Sequence, residues 1–361
     1  MDLSAVNWNV TIDDFDSLLT YTDQSAWNTP DPSIIGFNAT SSPWLRGTFH
    51  NTTTKGASVC LNITGPSVYV YGNTGPSYGS YEVNIDTFTM QYSAFRESAT
   101  DKSTLLFAAS NLTYANHVII VRNLGALPGA GDKGGDAFLL DYIDTTIQLA
   151  PAGATVQNAT HEEHDPAITF TGIWGNNSSP NFSGGTSTFT NQDNASFSFS
   201  FHGSAIYVFG DKKNDHRFYS VTLDSSPPIT LNGISGCGGA FGMTCEQQAP
   251  SIKYLASNLD DSLHQITLVN HANVNSSFFD LDSIVVTVPS QYGPRQLSTS
   301  SSPFASSVAT TPSSISPGSA TSIAKSSASA THSFALNAIH PLLFLTTLMF
   351  YLLRPTFGRP C

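Results

Sequence analysis

Apolar and polar residues alternate along this chain with the two-residue period of β-strands, and segments with a helical period are nearly absent. Residues 197–201 read Phe-Ser-Phe-Ser-Phe, which places three phenylalanine side chains on one face of a predicted strand. Residues 68–71 and 206–209 are continuous apolar runs, typical of a central strand covered on both sides. Such segments recur about every ten residues with Gly, Pro, Asn and Asp between them, so the pattern predicts an all-β chain.

The chain also repeats itself. Three segments of the first half recur in the second: residues 47–86 at 185–224, residues 109–112 at 256–259, and residues 138–143 at 279–284. A duplication of this length predicts two tandem β-sandwich domains of about eight strands each, at residues 1–150 and 151–290. Because a fold must be specified twice and a ligand site need not be, residues shared by both copies are expected to serve the fold.

Composition narrows the class of function. The 361 residues include 14 Lys and Arg against 26 Asp and Glu, for a net charge of −12, so the chain offers no basic stripe for a nucleic acid. Eleven Asn-x-Ser/Thr sequons together favour passage through a secretory compartment. They begin at Asn9, Asn38, Asn51, Asn62, Asn111, Asn158, Asn176, Asn177, Asn181, Asn194 and Asn275.

The cysteines are few. Cys237 and Cys245 lie eight residues apart in a Gly-rich loop, which predicts a local disulfide in an oxidising compartment. Cys60 has no partner nearby in the sequence. On the predicted strand at 59–63 it shares a face with Asn62, and the sequon there indicates that this face meets solvent.

The end of the chain changes character. Residues 291–333 are rich in Ser, Thr, Ala and Pro and are predicted to form a disordered, O-glycosylated stalk. Residues 334–353 are hydrophobic and precede a short polar tail at 354–361. Two interpretations stay open: a glycolipid-anchor signal, or a membrane-spanning helix whose tail arginines obey the positive-inside rule. The first residues lack a basic and apolar leader, so the signal peptide is expected to be missing from this sequence.

A recurring set of motifs carries a resemblance to a known family. Each copy reads Gly-Thr, an alternating strand, Gly-x-x-Val/Ile-Tyr-Val-Tyr/Phe-Gly, Tyr-x-Val-x-Ile/Leu-Asp, Ala-Ser-Asn-Leu and Phe-x-Leu-Asp-x-Ile. This set resembles the tandem galactose-binding-like jelly-roll ectodomains of surface proteins from mushroom-forming fungi. The resemblance implies two jelly-roll sandwiches that project from a membrane on a stalk, with a fold shared by many carbohydrate-binding modules.

Several titratable residues recur in both copies, and we interpret them as structural. Each is expected to hold a turn, to cap one or to pair with the backbone: His117 and His264, Asp141 and Asp282, Asp86 and Asp224. Residues 161–165, His-Glu-Glu-His-Asp, lack the spacing of a His-Glu-x-x-His metal site and are interpreted as a solvated linker.

The candidate ligand-binding residues are aromatic and acidic. Sugar rings stack on exposed aromatic faces, which makes Trp44 and Trp174 candidates, although an early Trp in a sandwich also plugs one end of its core. By resemblance to jelly rolls, calcium is a candidate ligand of two oxygen-rich loops, whose acidic residues are Asp132, Asp136, Asp211 and Asp215. The intervening lysines oppose a cation, so no cofactor and no metal site is predicted.

No catalytic constellation stands out, because the chain has no Gly-x-Ser-x-Gly motif and no pair of carboxylates is distinguished. The sequence therefore predicts a membrane-attached cell-surface glycoprotein that is not an enzyme and binds glycans or another cell-wall component. Two alternatives stay open: a glycan hydrolase or lyase on the same fold, and a purely structural wall or coat glycoprotein. The pattern indicates neither a particular ligand nor an oligomeric state.

Overall fold

The computed structural model describes residues 4–32, 34, 36–127, 133–236 and 250–293. Strands dominate this part of the chain, and its only helical segments are three-residue 3-10 turns, which confirms the all-β prediction. The described residues all belong to one compact unit. The division into two domains therefore stays a prediction.

The described part of the first copy contains ten strands. They are β1 (Val6–Asp13), β2 (Leu19–Tyr21), β3 (His50–Thr52), β4 (Ser58–Thr64), β5 (Ser67–Gly72), β6 (Ser80–Ile85), β7 (Phe88–Ser93), β8 (Thr104–Ser110), β9 (Asn116–Gly125) and β10 (Phe138–Ala150). Sheet A is antiparallel with the order β1-β10-β5-β8, and β3 also pairs with β10. Sheet B has the order β2-β4-β9-β6-β7. The 3-10 turns of this copy lie at Gln24–Ala26, Ala39–Ser41 and Leu45–Gly47.

Sheets A and B enclose one hydrophobic core. Because every second side chain of a strand points to the same face, Val68 and Val70 of β5 are fully buried in one cluster with Val83 and Ile85 of β6. Two facing sheets around such a core make the first copy a β-sandwich.

The described part of the second copy, which leaves out residues 237–249, contains twelve strands. They are β11 (Val156–Glu162), β12 (Ile168–Thr171), β13 (Gly175–Ser178), β14 (Thr186–Thr190), β15 (Ser196–Phe201), β16 (Ala205–Gly210), β17 (Phe218–Leu223), β18 (Ile229–Asn232), β19 (Ser251–Ser257), β20 (His264–Asn270), β21 (Phe279–Leu281) and β22 (Ser283–Pro289). Sheet C has the order β11-β22-β16-β19, sheet D has the order β12-β15-β20-β17-β18, and β13, β14 and β21 form a small third sheet. The 3-10 turns lie at Ser183–Gly185 and Asn273–Asn275.

The second core contains the alternating phenylalanines. Phe197, Phe199 and Phe201 of β15 all face inward and are at most 5% exposed, and they share a cluster with Ile206 and Val208 of β16. The period-two prediction for this strand is confirmed. The excess over about eight strands per copy comes from short edge strands such as β2 and β3, which alternation alone does not signal.

An Asp–His pair closes the same turn in both copies. Asp86 and Asp224 adopt positive φ angles of 55° and 54°, a conformation that Asp tolerates better than most residues. The carboxylate of Asp86 accepts a hydrogen bond from His117 Nδ1 at 2.7 Å, and that of Asp224 from His264 Nδ1 at 2.9 Å. The structural interpretation of these four residues is confirmed.

Two expectations about exposure are wrong. Cys60 is 3% exposed and disulfide-bonded, on a face that the sequence assigned to solvent, whereas Asn62 of the same strand is exposed as predicted. Tyr69 and Tyr71 of β5 are only half-buried on the outer face of sheet A. That strand is therefore fully covered on one face alone.

Several predicted features fall outside the described residues. These are the Cys237–Cys245 disulfide, the stalk beyond Gly293, the hydrophobic segment at 334–353 and the tail at 354–361. In the part of the chain that the structure describes, no helix has the length and apolar character needed to cross a membrane. Membrane attachment stays a prediction.

The outer face of sheet C packs against the first copy. Tyr207, Phe209 and Ile252 from this face join the hydrophobic cluster of the first copy. At the 138-residue offset of the duplication, Tyr207 and Phe209 correspond to Tyr69 and Tyr71. The same face of the duplicated sheet is an internal contact in one copy and open surface in the other.

A buried carboxylate connects the two copies. Asp16 Oδ1 accepts a hydrogen bond from the backbone N–H of Ile252 at 2.7 Å, and Lys212 Nζ donates to the Asp16 carbonyl oxygen at 3.3 Å. Asp16 and Lys212 are at most 1% exposed. Burial removes water from both charged groups, and each makes a hydrogen bond to the other copy. Asp16 Oδ2 also accepts from the Asp13 N–H at 2.9 Å within its own copy.

Replacing Asp16 with Ala should destabilise the protein strongly, because the change leaves the Ile252 N–H buried without its acceptor and removes the carboxylate charge that favours the protonated Lys212. We expect a loss of about 3–5 kcal/mol in the free energy of unfolding, measured by urea denaturation. Glu97→Ala is the control, since Glu97 is an exposed carboxylate whose 2.8 Å pair with Lys133 lies on the surface, and it should leave the midpoint unchanged. Similar midpoints for both variants would contradict a bridging role for Asp16.

Candidate functional site

An open cleft lies on the outer face of sheet A, where β1 and β10 meet. Thr11 of β1 pairs in register with Asp144 of β10, and Tyr142 of β10 pairs with Tyr71 of β5. A register irregularity between Leu140 and Tyr142 interrupts the pairing of β10 with β5 next to Asp141. The irregularity lets Asp141 reach the cleft from the same strand as Tyr142 and Asp144.

The turn Leu45–Gly47 forms one wall of the cleft. Asp141 Oδ1 accepts a hydrogen bond from the backbone N–H of Leu45 at 3.0 Å, which ties the turn to β10. Gly47 has a φ of 84°, and a Cβ atom there would lie 2.6 Å from the Phe37 ring, so only glycine fits. The turn holds Trp44 at the rim, where its ring meets that of Phe49 edge-on at 5.4 Å.

The cleft has a volume of about 360 Å³ and a mixed lining of aromatic, hydroxyl and carboxylate groups. Its lining residues are Thr11, Pro43, Trp44, Leu45, Ser103, Asp141, Tyr142 and Asp144. The size suits about one sugar residue of an oligosaccharide, judged against the lower end of the range for small-molecule sites.

Asp141 is the most unusual group in the cleft. Its residue is fully buried, and its Oδ2 atom has no hydrogen-bond partner, as is also true of the Ser103 hydroxyl. Burial raises the pKa of Asp141 from its ordinary value of 3.8 to about 6. A carboxyl group with this pKa exchanges protons near neutral pH, as general acids and bases must.

Aromatic rings line the floor beside Asp141. Tyr142 and Tyr71 stack with ring centroids 4.4 Å apart and an interplanar angle of 16°. Burial, together with Tyr71 and Asp144, raises the pKa of Tyr142 to about 12, so the phenol stays protonated and can donate a hydrogen bond. Thr11 Oγ1 donates to Asp144 Oδ1 at 2.6 Å, which orients this second carboxylate.

The second copy repeats the frame of the cleft without its chemistry. Asp282 occupies the position of Asp141 and accepts a hydrogen bond from the backbone N–H of Ser183 at 2.8 Å. The positions of Tyr142 and Asp144 are taken by Ser283 and Val285. The turn-capping role predicted for Asp141 and Asp282 is confirmed, and the aromatic and acidic cleft belongs to the first copy.

The other predicted site residues are dispersed. Trp174 lies 4.9 Å from the Phe170 ring and packs against the second core, the role of a core plug. Asp136 pairs with Lys55 at 3.2 Å, Asp211 with Lys213 at 2.9 Å, and Asp215 with His216 at 2.8 Å. Asp132 lies outside the described residues. Of the predicted binding residues, Trp44 is therefore the one placed in the cleft.

Metal binding finds no geometric support in the described part of the chain. There, no group of three or more His, Cys, Asp or Glu side chains could hold a metal ion. Within residues 161–165, His161 Nδ1 pairs with the Asp165 carboxylate at 2.7 Å instead.

Thr11, Tyr142 and Asp144 were not predicted as site residues. A difference between the copies could have indicated two of them. Tyr142 and Asp144 follow the shared Phe-x-Leu-Asp motif, and the second copy has the unlike residues Ser283 and Val285 at these positions. The pairing of Thr11 with Asp144 joins residues 133 positions apart, and strand register across such a distance cannot be read from composition.

No family model matches the chain. It is 31% identical over 147 residues, 40% of its length, to an A type blood N-acetyl-alpha-D-galactosamine deacetylase of Flavonifractor plautii. It is 24% identical over 202 residues, 55% of its length, to an A type blood alpha-D-galactosamine galactosaminidase of the same organism. The chain spans 17% and 18% of these two relatives. It is thus similar in sequence to parts of glycan-active enzymes.

Similar solved structures include a family 35 carbohydrate-binding module from Clostridium thermocellum. The identity is 16% and the TM-score 0.27, over 36% of this chain and 98% of that module. A TM-score this low carries no argument, so the β-sandwich assignment rests on the sheets described above.

The prediction that the protein is not an enzyme is contradicted by its relatives, which are named as a deacetylase and a galactosaminidase. The sequence argument failed because it required a recognisable motif. Catalytic groups are recognised by their geometry and roles rather than by their sequence position.

Asp141→Asn should remove a pH dependence of stability. The folded protein binds the Asp141 proton more tightly than the unfolded chain does, so this group's stabilisation is present below pH 3.8 and is lost as pH rises through about 6. Asn keeps the acceptor for Leu45, so the variant should gain stability relative to wild type across that window. Urea denaturation at several pH values measures the difference. Ser226→Ala, which changes an exposed neutral residue of the second copy, should run parallel to wild type, and a parallel curve for Asp141→Asn would refute the raised pKa.

Proposed function

We propose that this protein binds glycans in the cleft of the first copy and hydrolyses a glycosidic bond there. The observation that carries the proposal is Asp141, which lines the cleft with Trp44, Tyr142 and a second carboxylate, Asp144, and whose buried Oδ2 atom has no hydrogen-bond partner. The similarity to a galactosaminidase and a deacetylase supports glycans that contain hexosamines as the first substrates to test.

Binding would use the aromatic floor and its polar rim. Aromatic faces are suited to the apolar face of a sugar ring, and Trp44 and Tyr142 supply them here. The hydroxyl groups of Thr11 and Ser103 and the carboxylate of Asp144 can fix the orientation of sugar hydroxyls by hydrogen bonds. A few polar groups in a largely apolar cleft is the usual composition of a small-molecule site.

Hydrolysis would use the two carboxyl groups in different protonation states. The protonated Asp141 donates its proton to the glycosidic oxygen of the leaving sugar, while the Asp144 carboxylate accepts a proton from the water that attacks the anomeric carbon. The raised pKa of Asp141, about 6, keeps a useful fraction of this group protonated near neutral pH.

Asp141→Asn should abolish turnover and keep glycan binding, because Asn retains the shape of the cleft and cannot donate the proton. Tyr142→Ala should weaken binding roughly 10- to 100-fold, since it removes the stacking surface. Calorimetry and product analysis with hexosamine-containing and neutral oligosaccharides measure both effects. Glu97→Gln, which removes an exposed carboxylate outside the cleft, is the control. Turnover that survives Asp141→Asn would overturn the proposed role, and absence of both binding and turnover would overturn the function.

An extracellular location is part of the proposal. Two observations support it: none of the eleven sequon asparagines is buried, and Cys60 is disulfide-bonded. Oligosaccharides attach to accessible asparagines, and disulfides persist in oxidising compartments.

A further inference from the structure

The second copy contains a group of carboxylates that the proposed reaction does not use. Glu162 and Glu163 lie at the end of β11, and Asp282 lies between β21 and β22, next to the turn Ser183–Gly185. We propose that these three residues, here called the acid site, bind a protonated primary amine such as the amino group of a hexosamine.

Each carboxylate of the acid site uses one oxygen to hold the fold. Asp282 Oδ1 accepts from the Ser183 N–H at 2.8 Å, and Glu162 Oε1 accepts from the Ser183 hydroxyl at 2.8 Å. Glu163 Oε1 accepts from the Thr186 hydroxyl at 2.6 Å. These bonds fix the three side chains in place before any ligand arrives.

The other glutamate oxygens are buried without a hydrogen-bond partner. This holds for Glu162 Oε2 and Glu163 Oε2, and Glu163 is 4% exposed. The exposed His164 ring is 3.6 Å from Glu163 Oε2, too far for a hydrogen bond. Burial and the nearby charges of Asp280, Glu162 and Glu163 together raise the pKa of Asp282 to about 7, against the opposing effect of the hydrogen bond from Ser183. Negative charge therefore accumulates here without a compensating lysine or arginine acting on Asp282.

The first copy has positively charged residues near the acids that correspond to the acid site. Asp13 pairs in register with Tyr142, and Glu162 pairs in register with Ser283. Tyr142 and Ser283 are the residues that follow the matched Asp141 and Asp282. Glu162 therefore occupies in the second copy the position that Asp13 occupies in the first. Burial raises the pKa of Asp13, and the positive charges of Arg46 and Lys212 oppose that increase. In the first copy, the corresponding acids thus have cations built into the protein.

In the second copy, a glycine without a side chain stands at the position of one of those cations. At the 138-residue offset, Arg46 corresponds to Gly184. A Cβ atom on Gly184 would have only the Glu162 carboxyl group within 4 Å, at 3.5 Å or more. Gly184 is exposed, so an external cation can reach the place that Arg46 occupies in the first copy.

An ammonium group has the charge and the donors that this place requires. It carries one positive charge and three N–H donors, which form hydrogen bonds to carboxylate oxygens at about 2.7–2.9 Å. Placed beside Gly184, it would lie next to the Oε2 atom of Glu162, which has no hydrogen-bond partner.

Calorimetry on the full chain at neutral pH tests the inference with glucosamine oligomers and their N-acetylated counterparts. The free-amine oligomers should bind roughly 10- to 100-fold more tightly, as expected for a charge-assisted hydrogen bond. Glu163→Gln or Glu162→Gln should remove this preference, and Asp141→Asn should keep it. Equal affinity for both oligomers, or a preference lost in Asp141→Asn, would overturn the inference and leave the cleft as the binding site.

A matched pair of variants isolates the charge. Gly184→Arg should supply the missing cation, abolish the amine preference and raise the melting temperature. The residue is expected to fit because Arg46 adopts a φ of 51° at the equivalent position, close to the 60° of Gly184. Gly184→Gln adds similar bulk without charge and should keep the preference. Equal loss in both variants, or competition by calcium at the same site, would rule out a site selective for amines.

Discussion

A buried carboxylate that accepts the N–H of a 3-10 turn is the constraint on which both copies depend. Asp141 holds Leu45 and Asp282 holds Ser183 in this way, at 3.0 Å and 2.8 Å. The bond ties the start of the Gly-Thr strand to the last strand of each sandwich. It also brings a carboxyl group out of water, which raises its pKa and requires that nearby charge be compensated.

The two copies meet that requirement differently. In the first copy, Arg46 from the turn and Lys212 from the second copy act on the acids at the end of β1. Because Lys212 reaches across to Asp16, compensation of charge and docking of the copies are one interaction. It directs the outer face of sheet C inward, with Tyr207 and Phe209 on the first copy, and it leaves Tyr71 and Tyr142 of sheet A accessible beside the cleft.

Much of this fold can be predicted from the sequence, and the reason is local. Alternation in 197–201 and the repeated motifs report which side chains point inward, and the Asp86–His117 pair recurs in Asp224 and His264. The cleft could not be predicted in the same way. Its residues come from β1, β10 and the turn at Leu45–Gly47, and their meeting depends on register and on an irregularity in β10.

Residues shared by both copies were expected to serve the fold alone. For Asp141 this expectation holds for one carboxylate oxygen and is incomplete for the other. Its Oδ1 atom accepts the N–H of the 3-10 turn, as that of Asp282 does, whereas its Oδ2 atom is buried without a hydrogen-bond partner. A duplicated frame can thus carry function in the atoms that the fold leaves unused. The copies differ in the residues around each carboxylate. The first copy has Tyr142, Asp144 and Arg46, and the second has Ser283, Val285 and Gly184 at the corresponding positions. Because such neighbours differ by single side chains on a common backbone, divergence after duplication alters charge and shape without disturbing the sandwich.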